Sequence, residues 1–239
     1  MQFSTRLSRS GALTTDYHMH TTFSDGDSTI EEYVRAAEEL GLSEIAVTDH
    51  VWRRSDWVAE YVDRIRAVDA ETDVTVHVGL EAKVVDDEGN VDVLPTDAER
   101  VDFVMGVVHQ YQPENAAPND DMLNFEPRRA ATRERDLSLA LLENDTVDVV
   151  GHPSRTYYKF FYQDRTEQEF PTEYFVDLIE RSKETGTPLE YNARLPRTVR
   201  CRLLDLYEEH NLPFTVGSDT HSVTRFQNLH QNLLRTTFS

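Results

Sequence analysis

The stretch "DYHMHTTFSDG", Asp16 to Gly26, sets two histidines one residue apart at the end of an apolar-leaning run and follows them with a Ser-Asp-Gly turn. Side chains two apart in a strand project from the same face, with Cα atoms roughly 6.5 to 7 Å apart, so His18 and His20 can grip one ion between them. A bare His-x-His pair fits two solvent-facing imidazoles at a strand end equally well. The rest of the chain has to decide.

Outward from this stretch, short β-branched runs alternate with amphipathic helical ones, the pattern of repeated βα units around a parallel sheet. Seven strands are expected, over residues 13–19, 44–49, 74–81, 102–109, 147–152, 188–192 and 213–219. Helices are expected between them: "STIEEYVRAAEELG" with Ser28 as its N-cap and Gly41 as its stop, "SDWVAEYVDRIRAVDAE", a short "PTDAER", "EPRRAATRERDLSLALLEN", "PTEYFVDLIERSKETG" and "RTVRCRLLDLYEEHN". The segments 111–127 and 155–171 are long and irregular, and long loops in a compact domain often form lids or substrate walls. The aromatic run "TYYKFFY" in the second could wall such a pocket or simply pack it down.

The chain of 239 residues can build one barrel-sized domain or two small ones, and length alone does not choose. No apolar run approaches the roughly 18 residues that would span a bilayer, and residues 1–12 lack the apolar centre of a secretory signal. A soluble, cytoplasmic protein with a short N-terminal arm over 1–12 is expected. Cys201 is the single cysteine, which excludes an internal disulfide framework and a thiolate cluster, so any metal must be held by His, Asp and Glu. The formal charge is −20, with 44 acidic against 24 basic residues, and lysine occurs only at 83, 159 and 183. Such an acidic, lysine-poor surface resembles that of proteins from salt-loving (halophilic) organisms, and it repels nucleic acid and anionic membranes unless a local positive site overrides it.

The histidines and isolated acids fall at strand ends. His18 and His20 close the first expected strand, Asp49 and His50 the second, Glu81 the third, His109 the fourth, His152 the fifth, and Asp219 and His221 the seventh. In a closed parallel barrel these C-terminal ends converge on one rim, where active sites of such folds are built. Six histidines with two or three carboxylates suit Zn²⁺, Mn²⁺ or Fe²⁺ and are too many for one ion, so two or three ions with Glu81 as the bridge are expected. His77, His210 and His230 fall elsewhere and read as structural or solvated.

In order along the chain, "DYHMHTTFSDG", "AVTDH", "GLE", "GVVH", "GHPSR", "EYN" and "VGSDTH" resemble the PHP superfamily, named for its polymerase and histidinol-phosphatase members. The match runs over about residues 14–222. The resemblance implies an α/β fold, a distorted seven-stranded (β/α)7 TIM-like barrel, as a single domain over 13–239. It implies that His18, His20, Glu81 and Asp219 hold the first ion and its bound water, that Glu81, His109 and His152 hold the second, and that His50 and His221, with Asp25 as a further candidate, hold a third. Asp25 stands where histidinol-phosphatase-like members often carry a histidine, and its alternative role is to form the turn before Gly26.

Several divalent ions in one bowl suit in-line attack on a phosphoester. The sequence has no Gly-x-Ser-x-Gly elbow and no P-loop. An anionic substrate then needs local positive charge, and Arg155, Arg194, Arg53 and Arg54 are the candidates, since a guanidinium can hold two phosphate oxygens. Asp49 and Asn192 are expected to orient ligands or substrate rather than bind metal. The leading reading is a phosphatase on small phosphomonoesters, with a histidinol-phosphatase-like branch favoured by "GVVH". Hydrolysis of nucleotides or nucleic-acid ends, and a non-catalytic metal-binding accessory module, are the alternatives.

Overall fold

The computed structural model describes residues 14–109, 122, 125–155, 158–159 and 172–229. The expected arm over 1–12, most of segments 111–127 and 155–171, and His230 lie outside the described residues.

Seven strands run in chain order and all pair in parallel: β1 (Thr15–Asp16), β2 (Glu44–Val51), β3 (Thr75–Lys83), β4 (Phe103–Val107), β5 (Val149–Val150), β6 (Leu189–Asn192) and β7 (Phe214–Gly217). Helices α1 (Ile30–Leu40), α2 (Val58–Asp69), α3 (Pro95–Ala98), α4 (Pro127–Leu142), α5 (Thr172–Thr185) and α6 (Arg197–Glu209) alternate with them. The ring closes between its first and last members, where Tyr17 N–H donates to the Val216 carbonyl (2.8 Å) and Asp219 N–H to that of His18 (2.9 Å). This is the single-domain seven-stranded βα barrel that the family resemblance implied, with the strand count that the alternation gave.

Two expected strands are much shorter than their apolar runs. The run over 13–19 pairs with β2 only through Thr15 and Asp16, because the chain beyond them turns into the seam between β2 and β7. There the main chain of Met19 bridges to Thr220 and takes part in hydrogen bonds with Thr48. The run over 147–152 keeps two ladder residues, because His152 adopts φ 29° and leaves the strand.

The centre of the barrel lies under β2 and β3, the longest strands, which are covered on both faces; Ile45, Ala46, Val47, Val78 and Leu80 are wholly buried. Each such Val, Ile or Leu contributes roughly 1.5–3 kcal/mol relative to an exposed side chain. Helix α1 turns Ile30, Tyr33, Val34 and Ala37 onto this layer at the 3.6-residue period. Its N-cap is Thr29, in a capping box with Glu32, and not Ser28 as the sequence suggested. The Ser28 hydroxyl instead accepts the Val223 N–H at 3.1 Å and so serves the start of the helical residues 223–229. Tyr61 on α2 donates to the Gly79 carbonyl (2.8 Å) and accepts the Asp49 N–H (3.3 Å), which fixes α2 against β2 and β3 just below the rim.

Candidate metal centre

Residues at the C-terminal strand ends converge as the barrel requires. The loop after β1 is held by Asp49, whose carboxylate accepts the Thr21 N–H (2.8 Å), the Thr21 hydroxyl (2.7 Å) and the Ser24 hydroxyl (2.5 Å). Asp49 therefore faces the loop and not the ion site. Gly26 sits against the His20 main chain, where a Cβ would lie 2.2 Å from the carbonyl oxygen, so the Ser-Asp-Gly turn needs glycine for close approach. That turn brings Asp25 over the rim.

Three groups of donor atoms result, each within 4.8 Å of one another: His18, His20 and Asp219; Glu81, His109 and His152; and His20, Asp25, His50 and His221. Glu81 stands between them. Its Oε1 lies 2.9 Å from His152 Nε2, 3.4 Å from His109 Nε2 and 3.5 Å from His18 Nε2, while Oε2 faces His20 Nε2 at 3.6 Å and touches His50 Nδ1. The first group is wholly buried, and the second has Glu81 and His152 buried with His109 22% exposed. The third is open, with the Asp25 side chain 56% exposed and those of His50 and His221 18% and 19%. His152 and Asp219 both hold positive φ, 29° and 50°, a conformation that non-glycine residues keep only where the surroundings impose it.

The donor chemistry fits divalent cations. His20 Nε2 lies 3.1 Å from His18 Nε2 and 3.6 Å from both Glu81 Oε2 and Asp219 Oδ1, so lone-pair atoms converge there as a cation's ligands would. Burial lowers His20 to about 4; burial and the nearby Arg155 charge lower His152 to about 4. Both rings are therefore neutral near pH 7 and keep a lone pair for a metal. Burial pushes Glu81 up, but the His109 charge and hydrogen bonds from His109, His152 and His18 outweigh it and hold the carboxylate ionised. Burial opposes a proton on His18, yet the charges of Glu190 and Asp219 hold its ring well above the ordinary histidine value.

Arg155 and Arg194 reach the same rim and pair with Asp219, through Arg155 Nη1 to Oδ2 (2.9 Å) and Arg194 Nη1 to Oδ1 (3.1 Å). Arg53 turns away: its N–H donates to Asp92 and its guanidinium to the Val91 carbonyl at 3.3 Å. Arg54 is exposed beside it. His77 pairs with Glu44 at the opposite end of the barrel, and His210 caps the end of α6. Asn192 donates to both oxygens of Glu190 at 3.1 Å and accepts the Arg194 N–H at 2.9 Å. Glu190 is wholly buried, and the sequence places it on one face with Asn192 without giving it a role. Its signal was alternation, since Glu190 and Asn192 share the inward face of β6 although that strand carries no histidine.

The comparisons with known proteins agree with this geometry. The family model for the PHP domain matches residues 16–194. A "Probable phosphatase" of Thermoanaerobacter sp. is 26% identical over 90% of this chain and 83% of its own length. The DNA polymerase/3'-5' exonuclease PolX of Bacillus subtilis is 25% identical over 89% of this chain but only 35% of that longer protein. Among solved structures, the histidinol phosphate phosphatase of Lactococcus lactis, in complex with zinc, L-histidinol and phosphate, superposes with a TM-score of 0.67 at 21% identity, covering 94% of this chain and 92% of that one. With its ring of histidines and acids at the strand ends of a seven-stranded parallel barrel, the chain belongs to the PHP domain family.

Proposed function

We propose that this protein is a metal-dependent phosphoesterase that hydrolyses small phosphomonoesters at a di- or trinuclear centre. The observation that carries the reading is the convergence of three donor groups on Glu81, with two arginines beside the same ions' ligand Asp219. The resemblance to a protein named as a phosphatase supports the same class of reaction. Divalent Zn, Mn or Fe ions, when bound, supply an activated water at neutral pH and positive charge for the phosphoryl oxygens.

The chain's own residues do the rest. Neutral His20 and His152 offer lone pairs, and the ionised Glu81 and Asp219 supply the negative charge that retains cations in a buried bowl. Arg155 and Arg194, held by Asp219 at the edge of the bowl, present planar donor forks to phosphate oxygens. They give a protein of net charge −20 a local positive lip toward an anionic substrate. Arg53, bound to the Val91 carbonyl, takes no part in this reading.

A second reading, action on nucleotides or nucleic-acid ends, is favoured by the similarity to the polymerase and exonuclease of Bacillus subtilis. Protein reconstituted with zinc, manganese or iron and assayed on histidinol phosphate, mononucleotides and short oligonucleotides separates the two. Turnover of histidinol phosphate or another small monoester is expected. Inertness toward all three substrates, with ions bound, would leave only the accessory-module alternative, and fewer than two equivalents of metal would sink the multinuclear centre.

A further inference from the structure

We propose that Glu190 is the positioning residue that locks the two buried ion groups into one unit, gripping a ligand of each with one carboxylate. The inference rests on the reading that these groups hold divalent ions. Glu190 Oε1 lies 2.9 Å from His18 Nδ1, and Glu190 Oε2 accepts the His152 main-chain N–H at 2.5 Å. His18 belongs to the group with His20 and Asp219, whereas His152 belongs to the group with Glu81 and His109.

The chemistry of the pairing fixes which nitrogen of His18 is available. An ionised carboxylate only accepts, so the hydrogen between it and His18 sits on Nδ1, and Nε2 is the ligand atom. That Nε2 is the one directed at His20 Nε2 (3.1 Å), Glu81 Oε1 (3.5 Å) and Asp219 Oδ1 (3.9 Å). On the other side, the hydrogen bond to the His152 main chain holds a residue at φ 29°, and this turn carries its Nε2 to Glu81. Without the Oε2 contact nothing among the described hydrogen bonds occupies that N–H.

The surroundings are arranged around this carboxylate. Asn192 Nδ2 sits 3.1 Å from both oxygens. Gly217 on the neighbouring strand leaves it room, since a Cβ there would lie 2.0 Å from Oε1 and 2.5 Å from the His18 Cβ. A wholly buried carboxylate is an expensive way to fill a barrel that apolar side chains could fill. Alignment of two ligands at once gives it a purpose.

The test uses Glu190→Gln, which keeps the shape but can accept from only one of the two donors. Chelator-treated full-length wild type and variant are titrated with zinc, and separately with manganese, by competition calorimetry, and the tautomer of His18 is followed by ¹⁵N NMR. The expected result is a loss of about 10- to 100-fold in affinity at both sites, with a disturbed His18 tautomer. Unchanged affinity in a wild-type protein that takes up ions overturns the inference alone, as does a variant whose only defect is a lower melting temperature. A wild type that takes up no ion overturns the metal reading and the inference together. Should Glu190→Gln not fold, Glu190→Asp, which keeps the charge and shortens the reach, carries the same comparison.

Discussion

The two ends of the barrel treat charge in opposite ways. At the N-terminal ends of the strands, carboxylates are matched to donors: Asp69 accepts the Val76 N–H (2.7 Å), Asp148 the Val104 N–H (2.8 Å), and Asp102 both the Val78 N–H (2.8 Å) and Arg66 (2.5 Å). Glu44 joins Tyr17 and His77 there. At the C-terminal ends, imidazoles and carboxylates crowd each other, with buried nitrogens such as His20 Nδ1 left without a partner among the described residues. The lower-end carboxylates are satisfied by main-chain and arginine donors, whereas at the rim Glu81 is shared among several imidazoles, and buried His20 and His152, held neutral, keep lone pairs for cations. The lower end is thus built for stability and the rim for binding and chemistry.

Mutations that separate the two ends test the contrast. The largest effect belongs to the rim: His152→Ala should lower turnover on the order of 10³-fold, the scale of losing a well-placed transition-state contact. Its metal content should fall with turnover, because the substitution removes a neutral imidazole beside Glu81. A steep drop in melting temperature with activity per folded molecule retained would erase the contrast.

Chelation comes next. Filling a site at 1,000 times its dissociation constant stabilises by about 4 kcal/mol, so removal of the ions should lower the melting temperature by a margin that added zinc or manganese restores. Insensitivity to chelator, in protein shown to have lost its ions, would mean that the ions do not favour the folded state.

Asp25→Asn sharpens the comparison within the rim. This open ligand should lose one equivalent of metal and about tenfold in activity, the lower part of the range for weakened metal sites, while the two buried equivalents stay. Metal content measured alongside rates decides whether the loop aspartate binds an ion or only turns the chain.

The smallest effect is expected at the lower end. Burial raises the Asp102 carboxyl, but Arg66 and the Val78 N–H outweigh it, so the group titrates below its ordinary value. Its contribution is therefore present at neutral pH and is lost as pH falls through the depressed folded value. Asp102→Asn should cost roughly 1 kcal/mol at pH 7, the scale of a solvent-screened pair, with the gap to wild type closing below about pH 4. Denaturant melts across that range, with activity unchanged per folded molecule, are the measurement.

The candidate ligands at the rim were legible because each ends an apolar run, and a barrel has one place to gather strand ends. His18, His20, His50, Glu81, His109, His152, Asp219 and His221 all meet there. Less visible were the partners. Nothing in "EYN" says that Glu190 reaches His18, 172 residues away in the chain. Arg53 follows the His50 strand as closely as Arg155 follows His152, yet the segment around Val91 captures its guanidinium and Asp219 captures that of Arg155. The capping register of α1 was missed by one residue, because Ser28 and Thr29 are both good caps and only the position of Val223 decides between them.

The sequence by itself determined the periodic alternation of strand and helix, the residue types available to ligate and the strand end on which each one falls. Those are local properties, set by side-chain chemistry and by a two-residue or 3.6-residue repeat. Only the tertiary structure decided which candidate ligands stand together, where strands β1 and β5 stop, and which arginines face the bowl. The grouping of His18 and His20 with Asp219 depends on closing the ring between β1 and β7. That closure brings residues some 200 positions apart within hydrogen-bonding reach, as in the 3.2 Å contact from the Ser218 hydroxyl to the His18 carbonyl, and no periodicity encodes a distance of that kind.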